Sequence, residues 1–415
     1  MKSTIKIALI FCVGLPLVAA RTPWYVTAPY DMILDQPWHE EQRLHVFANA
    51  ETLLQSKGYN TSHDHVNVLK LWSVDQDALA MLRGFDVDSE INILAQTLQA
   101  ANDDGVRGHF NVTGEIKMPL SASVNAVYKL SRYWRLGLYI PFSSVKLTHT
   151  QWTDLTQSVT PEDLLTKELL TDNFFSNVYS LGSGLELGNW SRTGFGDITL
   201  MARWDREFLQ HKEFLKWVYL YVHLGVSLPT GRRADEDTIF PIALGNNGAF
   251  GIPFQTGIVT RFKNKMAVGV YADFLYKAGS SQTERVKVDA AQTELLLLEK
   301  TRVARTYGIQ QKFFLFVEPI VHKGFTIRLG YEYVKQGHDK IVVQTNDVSG
   351  IAPGTAVSLL PWTSHAMILQ GSWDVAGYTD FQKNAPFLSV YGRMPFNGTR
   401  SVGMGTLGFE LSLSF

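Results

Sequence analysis

The last ten residues, TLGFELSLSF, alternate without a break: Leu407, Phe409, Leu411, Leu413 and Phe415 fall on one side of an extended chain. Thr406, Gly408, Glu410, Ser412 and Ser414 fall on the other. The same period of two recurs upstream. Ala122, Val124, Ala126, Tyr128 and Leu130 oppose Ser123, Asn125 and Lys129, and Trp134 to Phe142 repeats the pattern against Arg135 and Tyr139. Further copies run over Ile198 to Trp204, Val218 to Leu228, Met266 to Tyr276 and Phe325 to Tyr333. A helix would need a period of 3.6, so these are strands. Most run to about ten residues or more, enough to cross a hydrocarbon core at a tilt and about twice the usual soluble strand.

The links between these strands alternate in length. Tight turns fall near Ser131 to Trp134, Gln210 to Glu213, Phe262 to Lys265 and His322 to Phe325. Long links fall at 151–193, 232–251, 279–305 and 346–362. Short turns at one end and long loops at the other are the pattern of a transmembrane antiparallel β-barrel. The chain is therefore expected to be all-β, a barrel of about fourteen strands with twelve to sixteen admissible, closed by its C-terminal strand so that no edge meets lipid.

The first twenty residues place Lys2 and Lys6 before an apolar run of about a dozen residues, with Ala19 and Ala20 at its end, as in a secretory signal peptide cleaved after Ala20. The only cysteine, Cys12, lies within it, so the mature chain carries no thiol chemistry. Loss of the two lysines takes the formal charge from -1 to -3, which gives no basic field for nucleic acid. Mean hydropathy of -0.04 argues against a helical membrane protein but suits a barrel with a polar lumen. Export of this kind points to a bacterial outer membrane, where the expected partners are outer-membrane lipid, the barrel assembly machinery and a small-molecule solute.

The N-terminal part of the mature chain departs from this rhythm. Residues 21–41 read as an extension able to plug the lumen, and 42–54 and 66–72 as a first pair of strands. Over 73–104 the spacing turns helical. Ser73 and Gln76 fit a capping box before Ala78, Leu79 and Leu82, with Gly84 as the stop, and Ile91, Leu94, Ala95 and Leu98 fit a second short helix. This helical element is expected in the periplasm or in the lumen. Thr160, Pro161, Glu162 and Asp163 start a helix in the first long loop, and Thr293 to Ala304 suggests another.

Chemical motifs are sparse. Gly403, Gly405 and Gly408 match G-x-G-x-x-G, but inside a terminal strand rather than between a strand and a helix, so their glycines are read as room beside an aromatic neighbour or in the lumen. His63 and His65 flank Asp64 without further ligands nearby, and no metal or other cofactor is expected. Ser364 and His365 point to opposite faces and cannot form a nucleophile–base pair, so no catalytic residues are assigned. If the apolar faces meet lipid, the inward set comprises Lys129, Arg135, Arg203, Tyr219, Tyr221, His223, Arg261, Asp273, Glu318, Arg328, Glu332 and Glu410. These are the candidate lumen-lining residues.

The segments SASVNAVYKLSRYWRLGLYIPF, TGFGDITLMARW, GVSLPTG and GNNGAFGIPFQTGIVTRF follow one another as in the MetA-pathway of phenol degradation family of outer-membrane barrels. That family is similar to the long-chain fatty acid transporter barrels. The resemblance covers roughly Ser121 to Phe415. It implies a passive channel for small hydrophobic or aromatic compounds, with no catalytic residues to carry over. A structural or surface-interaction barrel with a blocked lumen is the alternative reading, and an outer-membrane hydrolase the third.

Overall fold

The computed structural model describes residues 25–34, 42–263, 266–322, 324–345, 352–375 and 386–415. Twelve of its strands close into a barrel. They are β1 (Leu44–Tyr59), β2 (His109–Lys129), β3 (Trp134–Asp154), β4 (Thr199–Leu209), β5 (Leu215–Ser227) and β6 (Gly251–Phe262), then β7 (Met266–Lys277), β8 (Gln310–His322), β9 (Phe325–Gln336), β10 (Trp362–Asp374), β11 (Phe387–Thr399) and β12 (Ser401–Ser414). Each pairs antiparallel with its sequence neighbours, and β1 pairs with both β2 and β12, which closes the cylinder. His45 lies opposite Ser414, and the Phe415 carbonyl accepts the Arg43 and Leu44 amides. The terminal strand thus removes the last sheet edge.

The outward face is a belt of Val124, Leu136, Leu224, Leu369, Leu407 and Phe409, all solvent-exposed in the isolated chain. On β2 the outward apolar residues run only from Tyr128 back to Leu120 and then give way to Lys117, Glu115 and Thr113. On β3 they run from Trp134 to Phe142 and then to Ser144, Lys146 and Thr148. About nine residues per crossing matches what a tilted strand needs. The remainder of these 21-residue strands stands clear of the belt at the long-loop end. Register shifts at Thr113/Glu115 and Lys117/Leu120 mark the change on β2, and Pro119 sits in the second, where a missing N–H is tolerated.

The long loops do not hang free. They fold over the barrel mouth as a cap with its own hydrophobic core, in which Leu69, Leu79, Phe110, Phe174, Val178, Phe240 and Leu296 are buried together. Phe110 stacks on Phe174 at 4.1 Å and Trp72 on Phe240 at 4.9 Å. The inward residues Ile116, Met118, Val145 and Leu147 of the extended β2–β3 region belong to the same core. A three-stranded sheet, Ser280–Arg285, Lys300–Thr306 and Lys340–Val343, completes the cap.

Several expectations are corrected here. The strand count of twelve falls within the expected twelve to sixteen, but 66–72, expected as a strand, does not cross: it forms a two-residue bridge and a single 3-10 turn whose Val68, Leu69 and Leu71 enter the cap core. The 73–104 element lies at the long-loop end rather than in the periplasm or the lumen. Its first expected helix is replaced by a bridge at Gln76–Asp77 and a 3-10 turn, Ala80–Leu82, whose Leu79 and Ala80 amides donate to Asp77. Its second helix forms as α1 (Glu90–Thr97), with Ser89 as the cap. The helix expected at Thr160 forms as α2 (Pro161–Thr166) with a complete capping box and is followed by α3 (Phe174–Leu181). Thr293 to Ala304 is not helical. Leu295 to Leu298 are all buried in a turn, and the chain then enters the cap sheet. The loop expected at 151–193 is shortened at both ends, because β3 continues to Asp154 and Trp190–Phe195 pairs back onto it. The signal peptide and its cleavage site lie outside the described residues.

Candidate functional site in the barrel interior

Alternation sends every second side chain inward, and the barrel is too narrow to leave these groups in bulk water, so polar ones must find partners. The largest group centres on Lys312. Its ammonium is bound by Asp31 and lies 3.5 Å from both Asp273 and Glu332, and Glu332 also takes Arg393 at 3.0 Å. Tyr25 donates to Asp31 at 2.8 Å and its ring lies 5.0 Å from the Arg393 guanidinium. A second group centres on Asp205, which binds Arg135 at 3.0 Å and His223 at 2.9 Å and accepts the Tyr219 hydroxyl at 2.8 Å. His223 in turn contacts Arg203 and Gln255. Near the turn end Arg328 pairs with Glu318 at 2.7 Å, and Arg261 lies over Trp217. Glu410 is fully buried in register with Asn49 and Ser389, and Lys129 is half-exposed beside the first turn.

Thus the structure brings Arg135, Arg203, Tyr219 and His223 together, joins Asp273 to Glu332 through Lys312, and pairs Glu318 with Arg328. Tyr221 belongs instead to an aromatic layer with Phe47, Tyr139, Tyr271, Phe314 and Tyr391. Sequence reasoning passed over Lys312, Arg393, Asp205 and Glu51, although each sits on the inward parity of its strand; Asp205 directly continues the 198–204 alternation and Glu51 lies within 42–54, whereas Lys312 and Arg393 fall in strands, Gln310–His322 and Phe387–Thr399, for which no alternation was read. Asp31 carried no periodic signal at all, because it is not in a strand.

Residues 25–34 thread among these groups. Thr27 donates to Glu51 at 2.7 Å, the Tyr30 carbonyl accepts Gln255 at 3.1 Å, and the Ile33 carbonyl accepts Gln370 at 2.9 Å. Met32, Ile33 and Leu34 are buried against the aromatic layer. Above this segment lies a chamber of about 210 Å³ bounded by Tyr25 to Tyr30, the cap loop around Leu244, and the upper ends of β7, β8 and β9. Asp197 fastens that cap loop to the wall by accepting the Gly231 and Asn246 amides; burial pushes its carboxyl up, and those two donors oppose the shift.

Outside the lumen, the Asp77, Asp103 and His109 ligand-type atoms lie within 4.8 Å of one another, yet both His109 nitrogens already face carboxylates, Asp75 and Asp103, at 3.2 Å. His63 bonds the Gly398 carbonyl at 2.9 Å. His365 bonds Tyr331 at 2.6 Å, with Ser364 on the other face of the strand.

No family model and no curated protein matches the sequence. Among solved structures, an outer membrane channel from Pseudomonas putida F1 matches 94% of this chain and 100% of its own at 13% identity, with a TM-score of 0.50. The toluene transporter TodX of Pseudomonas putida matches 90% and 89% of the two chains at 8% identity with a TM-score of 0.36. A Pseudomonas aeruginosa FadL homologue matches 90% of each chain at 8% identity and 0.29. Of these three, the first alone is near enough in geometry to bear on the fold. By that fold the chain is a closed antiparallel β-barrel, similar to that outer membrane channel.

Proposed function

We propose that the protein is an outer-membrane channel for passive uptake or efflux of small hydrophobic or aromatic compounds, with residues 21–41 acting as a lumen plug. The observation that carries this reading is the inward aromatic layer of Phe47, Tyr139, Tyr221, Tyr271, Phe314 and Tyr391. A pore for ions or sugars keeps a hydrated, charged constriction, whereas here the charges are spent on one another and the level between them is lined by rings. Apolar solutes lose little on leaving water at such a layer, and hydrated ions lose much. The terminal aromatic strand is the feature offered to the assembly machinery.

The test is conductance of the refolded mature chain in a planar bilayer, with and without residues 21–41. Small, solute-sensitive currents in the intact chain and a steady conductance after the deletion are expected. Silence from a folded barrel in both forms would overturn the channel reading and favour a structural surface barrel.

A further inference from the structure

The chamber above residues 25–34 contains donors without acceptors. Lys277, at the inward upper end of β7, is 7% exposed, and it makes no hydrogen bond or ion pair among the described residues. The carboxylates facing it are engaged elsewhere: Asp197 accepts the Gly231 and Asn246 amides, and Asp339 is bound by Arg305. Two strands away, Gln336 is 3% exposed and its side-chain Nε2 has no acceptor. Gln310, which pairs with both Leu275 and Gln336 in register, brings the two sides together, and all three side chains line the same chamber. The remainder of the lining is mixed: Pro29, Tyr30, Met118, Pro141 and Leu244 give apolar surface, and Ser121, Ser143, Thr199 and the amide-bound Asp197 lie among them.

A buried ammonium and a buried amide N–H, each without a partner, are costly unless something supplies an acceptor. Water satisfies a donor, but an anion satisfies both donors and the charge, through bonds roughly twice as strong as neutral ones. We propose that this chamber is a binding site for small apolar carboxylates, held at the carboxylate by Lys277 and Gln336 and at the hydrocarbon by Pro29, Tyr30, Met118, Pro141 and Leu244. The chamber of about 210 Å³ is smaller than the roughly 300–1,000 Å³ of drug-sized sites, which restricts the ligand to a single ring or a short chain. This rests on the channel reading and deepens it: the preferred passenger is an amphiphilic acid rather than a neutral hydrocarbon. A neutral analogue such as an alcohol can accept one of these hydrogen bonds but brings no charge to the ammonium and no second oxygen, so it is held more weakly.

Binding is tested by calorimetry on the detergent-solubilised mature chain at neutral pH and low salt, with benzoate and benzyl alcohol as probes. Benzoate is expected to bind at least about tenfold more tightly. Lys277→Met removes that preference by weakening benzoate much more than benzyl alcohol, Lys277→Arg retains it, and Gln336→Leu reduces it several-fold, each variant being checked for the heat-dependent gel shift of a folded barrel. Benzoate no tighter than benzyl alcohol in the unmodified chain, or undiminished in folded Lys277→Met, overturns the site. Binding is read without transport, so benzoate bound by a barrel that never conducts would keep the site and discard the channel.

Discussion

Gly408 shows what single residues settle inside this barrel. It faces inward opposite Tyr391, and a methyl group placed on it would come within 2.1 Å of the ring. The same arrangement recurs at Gly257 against Tyr221, at Gly269 against Phe316 and at Gly330 against Phe314, so each ring occupies the space a side chain would take on a neighbouring strand. That contact, an aromatic covering a strand glycine, lets a narrow barrel hold a full aromatic layer. Gly408→Ala is expected to lower stability by about 1–3 kcal/mol through overpacking, read as the urea midpoint in detergent. Gly405→Ala, where the nearest atom is 3.5 Å away, should leave that midpoint within about 0.5 kcal/mol. A double-mutant cycle with Tyr391→Ala should remove most of the Gly408 penalty; equal penalties with and without the ring would refute the contact as its cause.

At the level of elements, what the sequence made legible was whatever the pleat itself dictates. The terminal strand, the outward belt, the tight turns and the inward parity of Arg203 or Glu332 all follow from a period of two. The cap does not, because its residues are chosen by tertiary contacts. Val68 and Leu71 look like strand residues and Leu295 to Leu298 like helix residues, but both sets are buried on every side, and burial erases the periodicity that would tell them apart. Ser73 and Gln76 offered a capping box, yet Gln76 accepts the Leu295 amide instead. The Tyr25 to Leu34 segment is the extreme case, held by side chains from seven strands, Glu51, Gln255, Tyr271, Lys312, Arg328, Gln370 and Arg393, and by only a few local hydrogen bonds around Asp31. Its main tether is Asp31, which receives Lys312, Tyr25, Tyr271 and the Ile33 amide. Asp31→Asn is expected to loosen the segment while leaving the barrel intact, since Lys312 keeps Asp273 and Glu332. The loss should be smaller than the roughly 3–5 kcal/mol of an orphaned buried charge. In a bilayer it should give intermittent openings of the size expected after deletion of residues 21–41; currents identical to the unmodified chain would show that Asp31 is not the tether.

Across the whole molecule, two cores are stacked along one axis, the aromatic layer with residues 32–34 below and the cap cluster above, with the chamber between them. Their linkage differs from that within a soluble domain. The barrel wall is held by ladder hydrogen bonds that have no competitor in lipid, so it stays closed whatever the cap does. The cap faces water and depends on packing and on a few buried ion pairs. Among these, Arg305 is fully buried between Glu284, at 2.7 Å, and Asp339. Removing that cation strands two carboxylates at low dielectric, a loss of about 3–5 kcal/mol by the usual measure of a broken buried pair. Arg305→Met should therefore open the sheet formed by Ser280–Arg285, Lys300–Thr306 and Lys340–Val343, seen as rapid hydrogen exchange and protease cutting there. Exchange in β1 to β12 and the heat-dependent gel shift should stay unchanged. Loss of both together would mean that cap and barrel unfold as one cooperative unit, and the chamber between them could then open only with the barrel itself.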